Sequence, residues 1–179
     1  MTKDEMTNKA MESLVEHGLT PQSIVQLDVS KIAEIIYGVG FHNKKAEALK
    51  KISSVLLRDY DGDIPDSRIE LMKLPSVGYK VAMLTLTHAW NKPVGIGVDV
   101  HVNRICKRLG WVHEKNTPEK TAKELETWLP KKLWGKDGIN HQFVGFGQTI
   151  CKNTNPLCAN CMLVDWCPSA FGHIVKNKR

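Results

Sequence analysis

The sequence predicts an all-α fold for its 179 residues. Three observations carry that prediction. Apolar residues recur at helical spacing along most of the chain. Capping residues and breakers punctuate the pattern. The single extended-looking run, Val94-Gly95-Ile96-Gly97-Val98, has no second run beside it to pair with.

Taken in order, Ser30 is placed to cap a short helix over 31–37, which stops at Gly38-Val39-Gly40. Ala46, Leu49, Ile52, Leu56 and Leu57 mark one face of a helix over 43–58. Asp61-Gly62-Asp63 reads as a turn, and Pro65 is placed to open a short helix ending near Lys73. Leu74-Pro75-Ser76-Val77-Gly78 interrupts the pattern, which resumes at Tyr79 and runs to about Trp90. A loop through Pro93 and Gly97 leads to Asp99, in capping position ahead of the apolar face Val102, Ile105, Cys106 and Leu109. Thr117-Pro118-Glu119 supplies cap, first-turn proline and first-turn acid for a helix ending before Pro130. A last long helix spans 138–151. Gly38-Val39-Gly40-Phe41-His42-Asn43-Lys44 faintly echoes Ser76-Val77-Gly78-Tyr79-Lys80.

Apolar residues make up 42% of the chain, which suits a globular fold and argues against wholesale disorder. No uncharged apolar run is long enough to span a membrane, and the first residues have no apolar core of signal-peptide type. The net charge of +6 favours a polyanionic partner, nucleic acid first. Four of the five cysteines fall after residue 150. Clustered cysteines without a signal peptide point to a metal centre in a reducing compartment rather than to disulfides.

Cys151, Cys158, Cys161 and Cys167 form C-x6-C-x2-C-x5-C, four thiolates within 17 residues. Zinc sites usually pair two C-x2-C knuckles across a longer loop; only one is present here. Four thiolates on one compact loop suit a [4Fe–4S] cubane, with zinc or a metal-free loop as the alternatives. On either metal-bound reading the centre would staple a segment poor in apolar residues. Lys152 adds charge to the loop, and Cys106, on an apolar helix face, reads as a small buried hydrophobe.

The interruption at 74–78 is a tight turn between two helices. Gly78 permits dihedrals barred to other residues, and the helix start behind it presents N–H groups suited to a phosphate. Lys80 falls in the first turn of that helix, where the dipole and partial burial both disfavour an ammonium. A neutral amine is what Schiff-base chemistry requires; the plain alternative is a solvated surface lysine. Asp99 reads as an N-cap, which still allows chemistry if a pocket forms beside it. His101 is either a packing histidine or a direct contact to the ligand.

Together, Leu74-Pro75-Ser76-Val77-Gly78-Tyr79-Lys80-Val81-Ala82, Val98-Asp99-Val100-His101-Val102-Asn103-Arg104 and the four-cysteine loop resemble the endonuclease III family of DNA glycosylases. The resemblance runs from about Thr2 to Pro168, and Phe143-Val144-Gly145-Phe146-Gly147-Gln148 looks most like eukaryotic members. It implies a helix–hairpin–helix DNA glycosylase fold with a C-terminal iron–sulfur loop. It implies Lys80 as nucleophile, Asp99 as catalytic aspartate, and Cys151, Cys158, Cys161 and Cys167 as [4Fe–4S] ligands. It also implies DNA contacts from Ser76, Val77, Gly78, Tyr79 and His101. The implied activity is bifunctional: removal of oxidised pyrimidines from duplex DNA, then AP-lyase cleavage through a lysine Schiff base, by a monomer in nucleus and mitochondrion.

The motifs divide the chain into a helical domain over 1–136, with its hairpin over 65–90, and a cluster-bearing segment over 137–179. Two departures from the family pattern stand out. Serine occupies position 76, where the family usually has glycine. Family members also have helices ahead of Thr2, of which Met1-Thr2-Lys3-Asp4 picks up only the end, so the chain reads as truncated. The competing expectation is a non-catalytic DNA-binding iron–sulfur module.

Overall fold

The computed structural model describes residues 4–170 and Gly172. The expected family step at Met1, Thr2 and Lys3 lies outside the described residues. The chain forms two compact units, Met1–Val77 and Gly78–Arg179. Among the described residues every regular element is a helix, and 94–98 is not a strand.

The first unit holds α1 (Asp4–Glu16), α2 (Pro21–Gln26), α3 (Val29–Ile35), α4 (His42–Asp59) and α5 (Arg68–Lys73). The sequence reading sets no bounds for α1 and α2. Yet Thr20-Pro21 repeats the cap-then-proline logic, and Thr20 and Ser23 close a reciprocal capping box. α4 packs against α2 and α3, and α1 against α3. Ala10, Leu14, Ile24, Ile32, Ala33, Ile36, Val39 and Ala46 fill the space between them. Two boundaries differ from expectation. Asp28, not Ser30, is the N-cap of α3, which starts and ends two residues earlier than expected and buries Ile32 and Ala33. Ser67, not Pro65, starts α5, because its side chain accepts the Glu70 N–H.

The internal echo has a backbone basis. Val39 N–H donates to Ile36 O at 3.1 Å, and Val77 N–H donates to Leu74 O at 3.2 Å. At the matching position of each turn, Gly38 has φ +90° and Ser76 has φ +63°. The left-handed position of the hairpin is therefore residue 76, filled by glycine in one copy and serine in the other. Gly78, expected to need special dihedrals, has φ −93° and ψ 178°, an ordinary extended conformation. Substituting Ser76→Gly should relieve about 1–2 kcal/mol of left-handed strain and forfeit about 0.5–1 kcal/mol to the freer unfolded chain. The net expectation is a gain of up to about 1.5 kcal/mol in urea unfolding.

The second unit holds α6 (Tyr79–His88), α7 (Val100–Arg108), α8 (Pro118–Trp128) and α9 (Ile139–Thr149), followed by the cysteine loop with short 3-10 turns at Cys158–Asn160 and Val164–Trp166. Thr117 caps α8 as expected, accepting the Lys120 N–H. α7 packs against α8 and α9. Thr121 Oγ1 donates to Asn103 Oδ1 at 2.7 Å, tying α8 to α7. Trp111 meets Trp128 edge-on and Phe143 at a tilt, both with ring centroids 5.6 Å apart. Cys106 is fully buried, and burial pushes its thiol up to about 12. It is thus a neutral packing group, as its helix face suggested.

Candidate active site

Lys80 is the second residue of α6. Its side chain is exposed, so the partial burial expected of it is not found. The reason is positional: the preceding Tyr79 turns inward, 9% exposed, and puts its neighbour outward. After α6 the chain turns back, with Lys92 N–H donating to Leu86 O at 2.8 Å. Ile96 and Val98 are then 1% and 2% exposed. Between them Gly97 sits hard against α6. A Cβ there would lie 2.8 Å from the Leu84 side chain and 3.3 Å from the Lys80 carbonyl oxygen. Glycine suits this point because any side chain would press on Leu84 and crowd the first turn of α6. Asn140 of α9 donates from Nδ2 to the Gly97 carbonyl, fixing the loop from the other side.

Two residues later, Asp99 caps α7. Its Oδ1 accepts the N–H groups of His101 at 2.8 Å and Val102 at 2.9 Å. The side chain is half-buried. One carboxylate oxygen serves the fold, while the other, Oδ2, has no hydrogen-bond partner among the described residues. Lys80 and Asp99 are thus brought into one unit, on segments that touch through Gly97.

His101 lies inward, 7% exposed. Its Nδ1 is 3.2 Å from Arg104 Nη2. Guanidinium only donates, so Nδ1 accepts, and a neutral ring carries its proton on Nε2. Arg104 Nη2 also donates to Gly147 O at 3.0 Å and Cys151 O at 2.7 Å. Burial first, and the neighbouring Arg108 cation second, draw the Arg104 pKa below its ordinary value. Gly147 admits this arrangement because a Cβ there would press within 2.9 Å of the His101 ring. One turn further on, Arg108 Nη1 donates to Cys151 Sγ at 3.3 Å and Lys152 O at 2.7 Å, and Nη2 to Asn153 O at 3.0 Å. Sequence reasoning assigned neither arginine a role. The available signal was their i, i+4 spacing on the helix that Asp99 caps.

Cys151, Cys158, Cys161 and Cys167 line one cavity, whose remaining wall includes Ile150, Leu157 and Leu163. All four are free thiols. Among the described residues no three metal donors meet as a group around a single ion. The thiols border the cavity instead. Burial raises the Cys158 pKa first, and the negative charges of Cys151, Cys167 and Cys161 raise it further. Such crowding of thiolates is unfavourable until a cation is placed among them. The donor set therefore fits a multi-iron cluster held by four thiolates. Arg108→Leu removes the guanidinium bonds to the Cys151 sulfur and to the carbonyls after it. The expected cost is about 1–3 kcal/mol, read as a lower Tm.

The model for the HhH-GPD superfamily of base excision DNA repair proteins matches residues 1–131. The chain is 49% identical over 177 residues to endonuclease III homolog 2, chloroplastic, of Arabidopsis thaliana, covering 95% of this chain and 45% of that protein. It is 43% identical over 166 residues to endonuclease III of Thermotoga maritima, covering 93% of this chain and 76% of that protein. The chain thus spans about half the length of the plant relative and three quarters of the bacterial one. Its fold is similar to that in a solved structure of a trapped endonuclease III–DNA covalent intermediate, with a TM-score of 0.90 and 31% identity over 97% of this chain and 80% of that one.

Proposed function

The chain belongs to the HhH-GPD superfamily of base excision DNA repair proteins, and on that premise we propose that it is a bifunctional DNA glycosylase and AP lyase acting on oxidised pyrimidines in duplex DNA. The observation that carries this reading is the seating of Gly97 against the Lys80 turn, which puts an amine and a partly free carboxylate on adjoining segments.

The reaction centre is a sugar carbon that base stacking hides, so the nucleotide must rotate out of the duplex. Damaged pairs stack poorly, which lowers that cost. The segment Ser76, Val77, Gly78 and Tyr79 is proposed to meet a phosphate. Gly78 gives α6 no side-chain cap, and a Cβ at Gly78 would touch nothing within 4 Å. An exposed lysine loses its water only when DNA covers it, and that supplies the desolvation the free chain lacks. The Lys80 amine attacks C1′ and the base departs. The Asp99 carboxylate takes up a proton or stabilises positive charge on the sugar. The amine gives up its proton and the C1′–O4′ ring bond opens to leave an imine, whose β-elimination expels the 3′ phosphate and breaks the strand 3′ to the lesion. His101, expected from the resemblance to contact DNA, is buried on α7 and is proposed instead to act from behind this pair, orienting α7 through Arg104.

Cys151, Cys158, Cys161 and Cys167 are proposed to hold a [4Fe–4S] cluster, with 137–179 as the cluster-bearing segment. When bound, the cluster cross-links a loop that has little apolar area of its own. The active form is proposed to be a monomer, in nucleus and mitochondrion. The described helices include none long and apolar enough to cross a membrane.

The test is borohydride reduction of the protein mixed with duplex DNA bearing one thymine glycol. A covalent protein–DNA adduct supports the lysine reading. A folded, brown protein that binds the duplex and gives no adduct reverts the reading to a non-catalytic DNA-binding module.

A further inference from the structure

We infer that Glu126 of α8 is a positioning residue that sets the spacing between Lys80 and Asp99, an inference that rests on the reading of those two residues given above. Its Oε1 accepts two hydrogen bonds at once: from the Tyr79 hydroxyl at 2.7 Å and from the Ile96 N–H at 2.7 Å. Tyr79 directly precedes Lys80 at the start of α6. Ile96 directly precedes Gly97, the residue seated on the Lys80 turn, and lies three residues before Asp99. A single oxygen atom therefore joins the segment that carries the amine to the segment that carries the acid.

The joint is tightly packed. Tyr79 and Ile96 are 9% and 1% exposed. A Cβ on Gly95 would lie 2.5 Å from Met83 Sδ, 2.9 Å from Glu126 Oε1 and 3.0 Å from the Tyr79 hydroxyl oxygen. Charge-assisted bonds in such a setting are short and directional, and they hold position more firmly than neutral ones. Removing the carboxylate leaves the Ile96 N–H without this acceptor, and the loop then relaxes away from α6 to find another. Asn140, bonded to the Gly97 carbonyl from α9, resists that shift from one side only. The reaction needs near-contact distances, so a displacement of about 1 Å is enough to cost on the order of 100-fold in rate.

The test compares wild type, Glu126→Ala, Glu126→Gln and Tyr79→Phe in the full chain. Two quantities are measured: the single-turnover rate of borohydride-trappable adduct on abasic duplex, and Kd for a duplex carrying a tetrahydrofuran abasic analogue. Glu126→Ala is expected to slow trapping roughly 10- to 100-fold, with Kd changed by less than about twofold. Tyr79→Phe, which keeps the Ile96 bond, slows it roughly 3- to 10-fold. Glu126→Gln still offers an oxygen to both donors and recovers to within about threefold of wild type. Wild-type trapping in both Glu126→Ala and Tyr79→Phe overturns the inference. So does a Kd that weakens in step with the rate, or a Glu126→Gln defect as large as that of Glu126→Ala. If Glu126→Ala does not fold, Tyr79→Phe and Glu126→Gln decide alone. Absence of any wild-type adduct overturns the lysine reading and this inference with it, whereas a wild-type adduct with unaffected variants overturns only the inference.

Discussion

Replacing Lys80 by glutamine should abolish both base release and strand cleavage, by at least about 10⁴-fold, while duplex binding stays within about threefold of wild type. The separation follows from where the side chain sits. Lys80 is exposed, and among the described residues it makes no hydrogen bond or ion pair, so the fold does not depend on it. A cation in the first turn of a helix is mildly unfavourable, and a neutral amide of similar length leaves stability unchanged or slightly higher. What the amide cannot do is form an imine, because its nitrogen lone pair is delocalised. Trapping with borohydride reads the covalent step, and a mobility-shift titration reads binding. Residual adduct from the glutamine variant would mean that another amine is the nucleophile.

The same pair of segments shows what the sequence discloses and what it hides. The Asp99 cap and the α8 start at Thr117-Pro118 are legible because a cap and the helix it serves are neighbours in the chain. So is the burial of Cys106, which follows from helical spacing alone. Ser30 and Pro65 mislead for a local reason: each lies two residues from another residue competent to cap, and tertiary packing chooses between them. Gly78 misleads because a glycine in a turn invites a left-handed assignment that the backbone gives to Ser76. Arg104 and Arg108 are illegible in principle. Their partners on α9 and the cysteine loop lie 43 to 47 residues away, and no periodicity reports a contact at that range. The Glu126 bonds, at separations of 47 and 30, are hidden in the same way. Motifs single out the groups proposed to carry the chemistry; the long-range contacts around them emerge only once the chain is folded.

Substituting Asp99→Asn should slow base release from a thymine-glycol duplex by about 10²- to 10⁴-fold, with Tm and duplex affinity nearly unchanged. Asparagine is as good an N-cap as aspartate, and its side-chain oxygen still accepts the N–H groups that Oδ1 serves, those of His101 and Val102. The variant therefore preserves the start of α7 and removes only the negative charge proposed to act on the sugar. Asp99→Ala removes both, and should cost about 1 kcal/mol of stability in addition to the same rate loss. The two variants separate the functions of one carboxylate. If Asp99 served the fold alone, asparagine would be silent in kinetics and alanine would weaken stability, with any loss of rate following from that. If it serves the reaction, the two lose rate alike while differing in Tm. Single-turnover base release measured beside thermal melting distinguishes these patterns. The division of labour between Oδ1 and Oδ2 predicts the second.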